Sequence, residues 1–318
     1  MRNAMAIFLA MVLFLSSSCA AASSPAPTQA VTEAPTPSVT PTPTPTEKPA
    51  VESIDSLADL EMLADIISVK FVDTYAKYIV QYKIRYKSDD CEVVGYITAP
   101  LDYLEKECPI IIYNRGGNQA FGMLYEEEAW GYIVLASQYR GNDGGTGKEQ
   151  FGGDDVNDVI KLIDIGERFT FAQKGGVYMT GYSRGGMMTY IACRTDDRIK
   201  AATVCAGISD SFAMYESRND IKTVYRSLVG GNPENLPEEY VKRSAVLWAD
   251  EIDTPLLIMH GGEADKNVDT SQAKSMAEAL DEHGKEYKLI IYEDADHDLP
   301  GEEWIPEMLD WYAAHPLQ

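Results

Sequence analysis

The chain has 318 residues, of which 45% are hydrophobic, 50 are Asp or Glu and 27 are Lys or Arg, so its formal net charge is −23. A surface of that sign repels phosphate backbones and anionic headgroups, which argues against a nucleic-acid partner and against electrostatic membrane binding. The length allows more than one domain, but the first 50 residues lack the composition of a folded core.

Residues 1–18 are predicted to be a secretory signal peptide. Arg2 gives a positive start, and the apolar run AMAIFLAMVLFL that follows is too short to span a bilayer as a stable helix. Cys19 follows three serines and resembles the lipid-attached cysteine of bacterial lipoproteins, although Leu15 lies four residues before it rather than the usual three. We expect Cys19 to anchor the protein to the outer face of a bacterial cytoplasmic membrane; the alternative is simple secretion.

Residues 19–50 are predicted to be a disordered tether. They are rich in Pro, Thr, Ser and Ala, a composition that buries no core and favours an extended polyproline conformation. At about 3.1 Å per residue, such a tether reaches roughly 90 Å. Residues 51–318 are then long enough to form one large folded domain with a substantial core.

The first strands of this domain are expected to run antiparallel. Apolar and polar residues alternate in AKYIVQYKIRYKS, as in a half-buried edge strand, and CEVVGYITAP follows as its neighbour. Later apolar runs are continuous, as is typical of parallel strands covered on both faces: PIIIYNRGG, GYIVLASQYRG, GVYMTGYS, AATVCAGIS, TPLLIMHGG and YKLIIYEDA. Helical patterns lie between most of them, so the sequence predicts an α/β domain with a doubly wound, mostly parallel sheet.

The last helical pattern, PGEEWIPEMLDWYAAH, is expected to pack its apolar residues against the sheet: Trp304, Ile305, Met308, Leu309 and Trp311. Two cysteines, Cys193 and Cys205, are predicted to be small core residues. Cys91 and Cys108 precede strands that should run antiparallel, which disfavours a disulfide between them. The chain contains no CxxC pair and no HExxH helix, so we expect neither a metal nor another cofactor.

The segment VYMTGYSRGGMMTYIA carries the strongest chemical signal in the chain. It places Ser183 between Gly181 and Gly185, where an apolar strand gives way to a helix, as in a nucleophile elbow. The turn is so tight that a Cβ atom at the flanking positions would collide with backbone, and Gly181, Gly185 and Gly186 avoid that collision. Ser183 is therefore the candidate nucleophile.

A serine nucleophile needs a histidine that accepts its proton, and the chain has 4 histidines. His283 lies in a charged helix and His315 in the carboxyl-terminal tail, so both are expected to be solvated. His260 ends a strand and is expected to pack or hydrogen-bond beside the sheet. His297 lies in a loop at the carboxyl end of a predicted parallel strand, where open α/β sheets place their sites, and is the candidate base.

The histidine in turn needs a carboxylate that orients it, and Asp265 is the best candidate. It follows the strand TPLLIMH directly and precedes an amphipathic helix. With Ser183 and His297 it gives the chain order Ser, Asp, His that this architecture uses. Three other carboxylates near these loops remain alternatives: Glu263, Asp294 and Asp296.

Further segments carry a family likeness: the loop YNRGG, the stretch QYRGNDGGTGKEQFGGDDVNDV, the elbow GYSRGG, and the run from VGGNPENL to HGGEAD. With them, the chain from about Tyr86 to Tyr312 resembles the catalytic domain of prolyl oligopeptidase-type serine peptidases, in the α/β-hydrolase superfamily. The resemblance implies Ser183 as nucleophile, Asp265 as orienting acid and His297 as general base. Oligopeptidases of this family also have a large β-propeller, which we do not expect here because only the tether precedes the domain.

The oxyanion hole departs from the family pattern. The backbone N–H of Arg184, next to the nucleophile, is expected to be one donor. Many family members have a tyrosine before the paired glycines of the loop, whereas here Arg115 precedes Gly116 and Gly117. We expect the second donor to be a backbone N–H near Arg115 or Gly116. The guanidinium of Arg115 either contributes to the hole or forms a structural ion pair.

The sequence thus predicts an extracellular serine hydrolase that acts through an acyl-enzyme on a peptide or ester substrate. The resemblance favours a peptidase that cleaves short peptides. The alternative is an esterase that removes acyl groups from polysaccharides or small esters, since the same triad serves both reactions. A more distant alternative is a non-catalytic binding protein of the cell surface that has a hydrolase fold.

Overall fold

In a computed structural model of the chain, structure is described for residues 50–124 and 129–318. The predictions of a signal peptide, a lipid-bearing Cys19 and a tether therefore lie outside the described residues, except for the tether's last residue. The described residues belong to one compact unit. Among the helices described, none combines the length and the apolar character that crossing a bilayer requires.

One mixed sheet runs through the described residues. Its strands are β1 (Ile66–Val72), β2 (Ile79–Ser88), β3 (Cys91–Pro100), β4 (Ile110–Asn114), β5 (Ile133–Ser137), β6 (Val177–Tyr182), β7 (Ile199–Cys205), β8 (Leu256–Gly261) and β9 (Tyr287–Tyr292). They lie in the order β1-β2-β3-β5-β4-β6-β7-β8-β9. Pairs from β1 to β5 are antiparallel and pairs from β5 to β9 are parallel. The predicted α/β-hydrolase fold with antiparallel N-terminal strands is confirmed.

The edges of the sheet differ from the prediction. The strand predicted as an edge, now β2, is covered by β1, with Val69 opposite Ile84 in the antiparallel register. Strand β1 escaped prediction because an edge strand is partly solvated: Ile67 and Phe71 are 39% and 58% exposed, so the apolar and polar residues do not alternate cleanly. At the other edge, β9 is half-buried along most of its length rather than covered on both faces.

The helices are α1 (Asp155–Gly166), α2 (Arg184–Thr195), α3 (Ser211–Ser217), α4 (Asn219–Leu228), α5 (Pro237–Val241), α6 (Ser271–Glu282) and α7 (Trp304–Ala314). Helices α3, α4 and α5 form a helical insertion between β7 and β8 that the sequence did not predict. Tyrosine rings hold the insertion together: Tyr225 stacks on Tyr240 at 5.2 Å, and Tyr215 meets both edge-on. Met187 of α2 packs in the same cluster.

Helix α7 packs against the sheet as predicted, but its most deeply buried residues include Tyr312, which was not among the predicted contacts. Met308 and Tyr312 are fully buried there, and the other predicted contacts are half-buried around them: Trp304, Ile305, Leu309 and Trp311. Tyr312 stacks on Tyr178 of β6 at 4.4 Å, and its hydroxyl donates to the carbonyl of Met179 at 2.8 Å. Only the fold brings these tyrosines together, because they lie 134 residues apart.

The cysteine predictions agree with the structure. Cys91, Cys108, Cys193 and Cys205 are all free thiols. The last two are buried in the core, as expected. Cys91 begins β3, which runs antiparallel to β5, while β4 after Cys108 runs parallel to β5.

The parallel strands all end at one edge of the sheet, and this edge gathers the predicted site residues. Arg115 follows β4, Ser183 follows β6, Asp265 follows β8 and His297 follows β9. Because β4 and β6 are direct neighbours, the loop that begins at Arg115 lies beside the elbow.

Candidate active site

Ser183 occupies the strained turn that the sequence predicts. Its φ is 55° and its ψ is −120°, a conformation rare for a residue with a side chain. Its backbone N–H donates to the carbonyl of Cys205 on β7 at 2.8 Å, which ties the turn to the sheet. A Cβ atom on Gly185 would lie 1.9 Å from the carbonyl oxygen of Asn114, and one on Gly181 would lie 2.1 Å from that of Gly185. The glycines are therefore a steric requirement of the elbow.

The candidate base and the candidate acid are in contact. Nδ1 of His297 lies 2.9 Å from Oδ2 of Asp265. The imidazole meets the ring of Tyr182 edge-on at 5.7 Å, and the Tyr182 hydroxyl donates to the carbonyl of His297. Since Tyr182 immediately precedes Ser183, these contacts hold the histidine loop against the elbow. The structure thus joins the predicted base to the predicted acid and places the loop of the base against the elbow that carries Ser183.

Asp265 is held in its charged form. Its Oδ1 accepts the backbone N–H groups of Asn267 and Val268 at 2.8 Å and 2.9 Å. Burial by itself would raise the pKa of Asp265, but the hydrogen bonds from His297 and from this backbone outweigh burial, and the pKa lies below its ordinary value. A carboxylate that stays ionised accepts Nδ1–H of His297 and so selects the tautomer whose Nε2 is unprotonated.

The other histidine near the acid packs beside the sheet, as predicted. His260 is fully buried, and its Nδ1 lies 2.9 Å from the carbonyl of Gly261 and 3.9 Å from Oδ2 of Asp265. Burial lowers its pKa, so the ring stays neutral beside the acid. The three alternative acids are exposed side chains: Glu263, Asp294 and Asp296.

The two remaining histidines lie outside the site. His283 is exposed at the end of α6, as expected. The prediction that His315 is solvated is wrong, because its ring packs on Trp311 at 4.3 Å and its Nε2 lies 3.0 Å from Glu286. The tail folds back on α7 there, which a sequence pattern does not show.

The loop after β4 lies directly against the nucleophile. A Cβ atom on Gly116 would lie 3.2 Å from Cβ of Ser183 and 3.1 Å from the carbonyl oxygen of Tyr182. Arg184 is the first residue of α2, where helical N–H groups have no partner within the helix. This placement is compatible with oxyanion donors from the backbone of Arg184 and from the segment at Arg115 and Gly116, which stay predictions.

Neither predicted use of the Arg115 guanidinium is tested by the described residues, in which it binds backbone carbonyls. The side chain is 1% exposed, and its terminal nitrogens donate to four backbone carbonyls, at distances from 2.8 Å to 3.3 Å: Gly116, Gln119, Phe121 and Gln138. These bonds engage the four terminal N–H groups, while the buried Nε of Arg115 has no hydrogen-bond partner among the described residues. Arg115 has no salt bridge to a carboxylate among residues 50–124 and 129–318.

The buried ion pairs of the Arg184 side chain were not predicted from the sequence. It lies 1% exposed between two buried carboxylates, Glu149 and Asp155, with Nη2 at 2.5 Å from Asp155. Its guanidinium also faces the rings of Tyr139 and Phe151, at 4.4 Å and 4.9 Å. The only signal in the sequence was an arginine in the elbow and acids in the glycine-rich stretch that precedes it, and no spacing rule pairs residues so far apart in the chain.

Comparison with known proteins assigns the family. Residues 123–316 match the sequence pattern described as the prolyl oligopeptidase family. The chain belongs to the prolyl oligopeptidase family. Within it, the chain is similar to the uncharacterized peptidase YtmA of Bacillus subtilis, with 29% identity over 234 residues that cover 72% of this chain and 90% of YtmA.

Two longer relatives match over a part of their length. The uncharacterized peptidase YuxL of Bacillus subtilis is 30% identical over 247 residues, which cover 72% of this chain and 37% of YuxL. Dipeptidyl-peptidase 5 of Porphyromonas endodontalis is 28% identical over 212 residues, which cover 60% of this chain and 30% of that protein. Both alignments take in less than half of the relative.

Solved structures agree on the fold. An acylaminoacyl peptidase of Pyrococcus horikoshii superposes with a TM-score of 0.65 at 22% identity, over 76% of this chain and 42% of that one. Acetyl xylan esterase 1 of Thermoanaerobacterium superposes with a TM-score of 0.58 at 13% identity, over 83% of this chain and 95% of the esterase. At these identities the likeness establishes the α/β-hydrolase fold, and the family assignment makes the chain a serine hydrolase.

Proposed function

We propose that this protein is an extracellular serine peptidase that cleaves short peptides through an acyl-enzyme intermediate. The observation that carries the proposal is the 2.9 Å contact between His297 and Asp265 beside the strained Ser183. Family membership supports the peptidase reaction over other hydrolyses.

The mechanism follows from the contacts of the histidine. With Nδ1–H donated to Asp265, Nε2 of His297 takes the proton of the Ser183 hydroxyl while the oxygen attacks the scissile carbonyl carbon. His297 then returns the proton to the leaving amine, and the acyl group stays on Ser183. Water, deprotonated by His297 in the same way, attacks the ester; the acid is released, and the oxygen of Ser183 takes the proton back from His297.

The negative charge that develops on the carbonyl oxygen needs donors in fixed positions. We assign one to the backbone N–H of Arg184, at the start of α2, and the second to the backbone segment at Arg115 and Gly116. Gly116 lies against the Cβ of Ser183, which supports this assignment.

An esterase remains the second candidate because a Ser-His-Asp triad also hydrolyses esters, and the superposition with acetyl xylan esterase 1 covers 95% of that chain. We expect purified protein to cleave dipeptidyl and acylaminoacyl amides with a kcat/KM at least about 100-fold above that of the Ser183→Ala variant. Hydrolysis of acetyl or other acyl esters without measurable amide cleavage would favour the esterase. Failure of a fluorophosphonate to label Ser183 would favour a binding protein.

The location is a separate proposal, which the signal-like start and Cys19 support. In a bacterial host, the parent chain is expected to fractionate with membranes and to incorporate an alkyne-labelled fatty acid. The Cys19→Ala variant should lose the label and leave the membrane fraction, whereas the neighbouring Ser18→Ala variant should behave as the parent does. Equal labelling of parent and Cys19→Ala would rule out Cys19 as the anchor.

A further inference from the structure

Behind the elbow, the ring of Tyr139 lies between two guanidinium groups. The ring centroid is 4.9 Å from Cζ of Arg115 and 4.4 Å from Cζ of Arg184. Tyr139 follows β5 with a φ of 64° and is fully buried. Burial raises the pKa of Tyr139 although both guanidiniums oppose the shift, so the hydroxyl stays protonated and acts as a donor.

The hydroxyl and one guanidinium hold two consecutive carbonyls of the loop after β4. The Tyr139 hydroxyl donates to the carbonyl of Arg115 at 2.9 Å, and Nη1 of Arg115 donates to the carbonyl of Gly116 at 3.0 Å. The N–H groups of these two peptide units belong to Gly116 and Gly117. In a planar trans peptide unit the C=O and N–H bonds point in opposite directions, so an anchored carbonyl also sets the direction of its N–H.

We propose that Arg115 and Tyr139 are positioning residues that aim the second oxyanion donor, the N–H of Gly116 or Gly117, at the carbonyl oxygen of a substrate bound to Ser183. The inference rests on the proposed function and deepens it. A hydrogen bond received by the carbonyl also polarises the amide, which makes its N–H a stronger donor.

Further contacts hold the rest of this loop in place. The guanidinium of Arg115 also binds the carbonyls of Gln119 and Phe121. The carboxylate of Glu149 accepts the backbone N–H of Gln119 at 2.8 Å and also pairs with Arg184. The loop is therefore fixed before substrate arrives, and preorganised donors are the ones that lower a barrier most.

The test removes one hydroxyl. In Tyr139→Phe the ring stays between the guanidiniums, and we expect kcat to fall about tenfold with KM unchanged. The inhibition constant of a peptide boronic acid, whose tetrahedral adduct occupies the oxyanion hole, should rise by the same factor. The midpoint of the pH–rate profile should not move, because neither His297 nor Asp265 is changed.

A second variant, Arg115→Lys, keeps the charge but cannot donate to four carbonyls, so its loss of kcat should be larger, about 100-fold.

Tyr178→Phe is the matched control. Tyr178 is 4% exposed, and its hydroxyl donates to the carbonyls of Tyr312 and His315 at 3.1 Å and 3.0 Å, away from the oxyanion loop. It should lose stability comparable to that lost by Tyr139→Phe, with kcat and boronate inhibition unchanged.

The two possible failures are distinguishable. If the parent turns over substrate and folded Tyr139→Phe and Arg115→Lys keep kcat and boronate inhibition within twofold of the parent, the positioning role is wrong. If stability falls but boronate inhibition does not weaken, the contacts are structural only and the inference is again wrong. A parent that neither turns over substrate nor reacts with a fluorophosphonate would overturn the proposed function, and this inference with it.

Discussion

Replacement of Ser183 by alanine is expected to lower kcat on the order of a million-fold and to leave the fold intact. Alanine keeps the Cβ atom, so the positive-φ turn and the packing of Gly116 against that atom are unchanged. What disappears is the oxygen that attacks the carbonyl and receives the acyl group. The measurement is hydrolysis of a nitrophenyl acyl ester by parent and variant, with circular dichroism melting as the check on folding.

Ser275→Ala, an exposed serine-to-alanine change on α6, is the control and should retain parental turnover. Hydrolysis by Ser183→Ala at near the parental rate would show that another residue is the nucleophile. The elbow would then be a structural turn, and the 2.9 Å contact of His297 with Asp265 would need another explanation.

The largest loss of stability is expected from Arg184→Met. The substitution leaves Glu149 and Asp155, which are 4% and 0% exposed, buried without their cation. Removing one partner of a buried ion network costs about 3–5 kcal/mol, far more than an exposed pair is worth. The free energy of unfolding, measured by urea titration of parent and variant, gives the size of this loss.

Arg194→Met is the matched control on the same helix. Arg194 pairs with Glu251, but the two side chains are 31% and 48% exposed, so the expected cost is about 1 kcal/mol or less. If Arg184→Met costs no more than Arg194→Met, the buried charges do not hold the elbow to the glycine-rich stretch. A second variant, Arg184→Lys, keeps the charge and should recover part of the lost stability.

The candidate triad could be predicted from the sequence because each of its residues lies in a recognisable local pattern. The steric demands of the elbow act between neighbours in the chain, so the glycines around Ser183 reveal the turn directly. Asp265 and His297 each follow an apolar strand, and strands of a parallel sheet end at one edge, so two separate loops could be predicted to meet. The catalytic roles themselves stay predictions that the variants above test.

The contacts of Arg115 and Arg184 could not be predicted in this way. The sequence left Arg115 as an oxyanion contributor or an ion-pair partner and did not show that its terminal nitrogens bind four carbonyls, one of them on Gln138 just after β5. That contact exists because β5 lies beside β4 in the sheet order. Likewise, Arg184 and Glu149 are 35 residues apart, and the sequence does not show which partner a charged side chain will have.

The sequence by itself determined the α/β class, the family, and the chain order of the candidate nucleophile, acid and base, since these depend on periodicity, on local sterics and on motifs. Only the tertiary structure decided that β1 covers the predicted edge, that an aromatic insertion follows β7, and that Tyr139 lies between Arg115 and Arg184. The physical reason is that burial and hydrogen-bond partners depend on which strands become neighbours, and residues far apart in the chain make that choice.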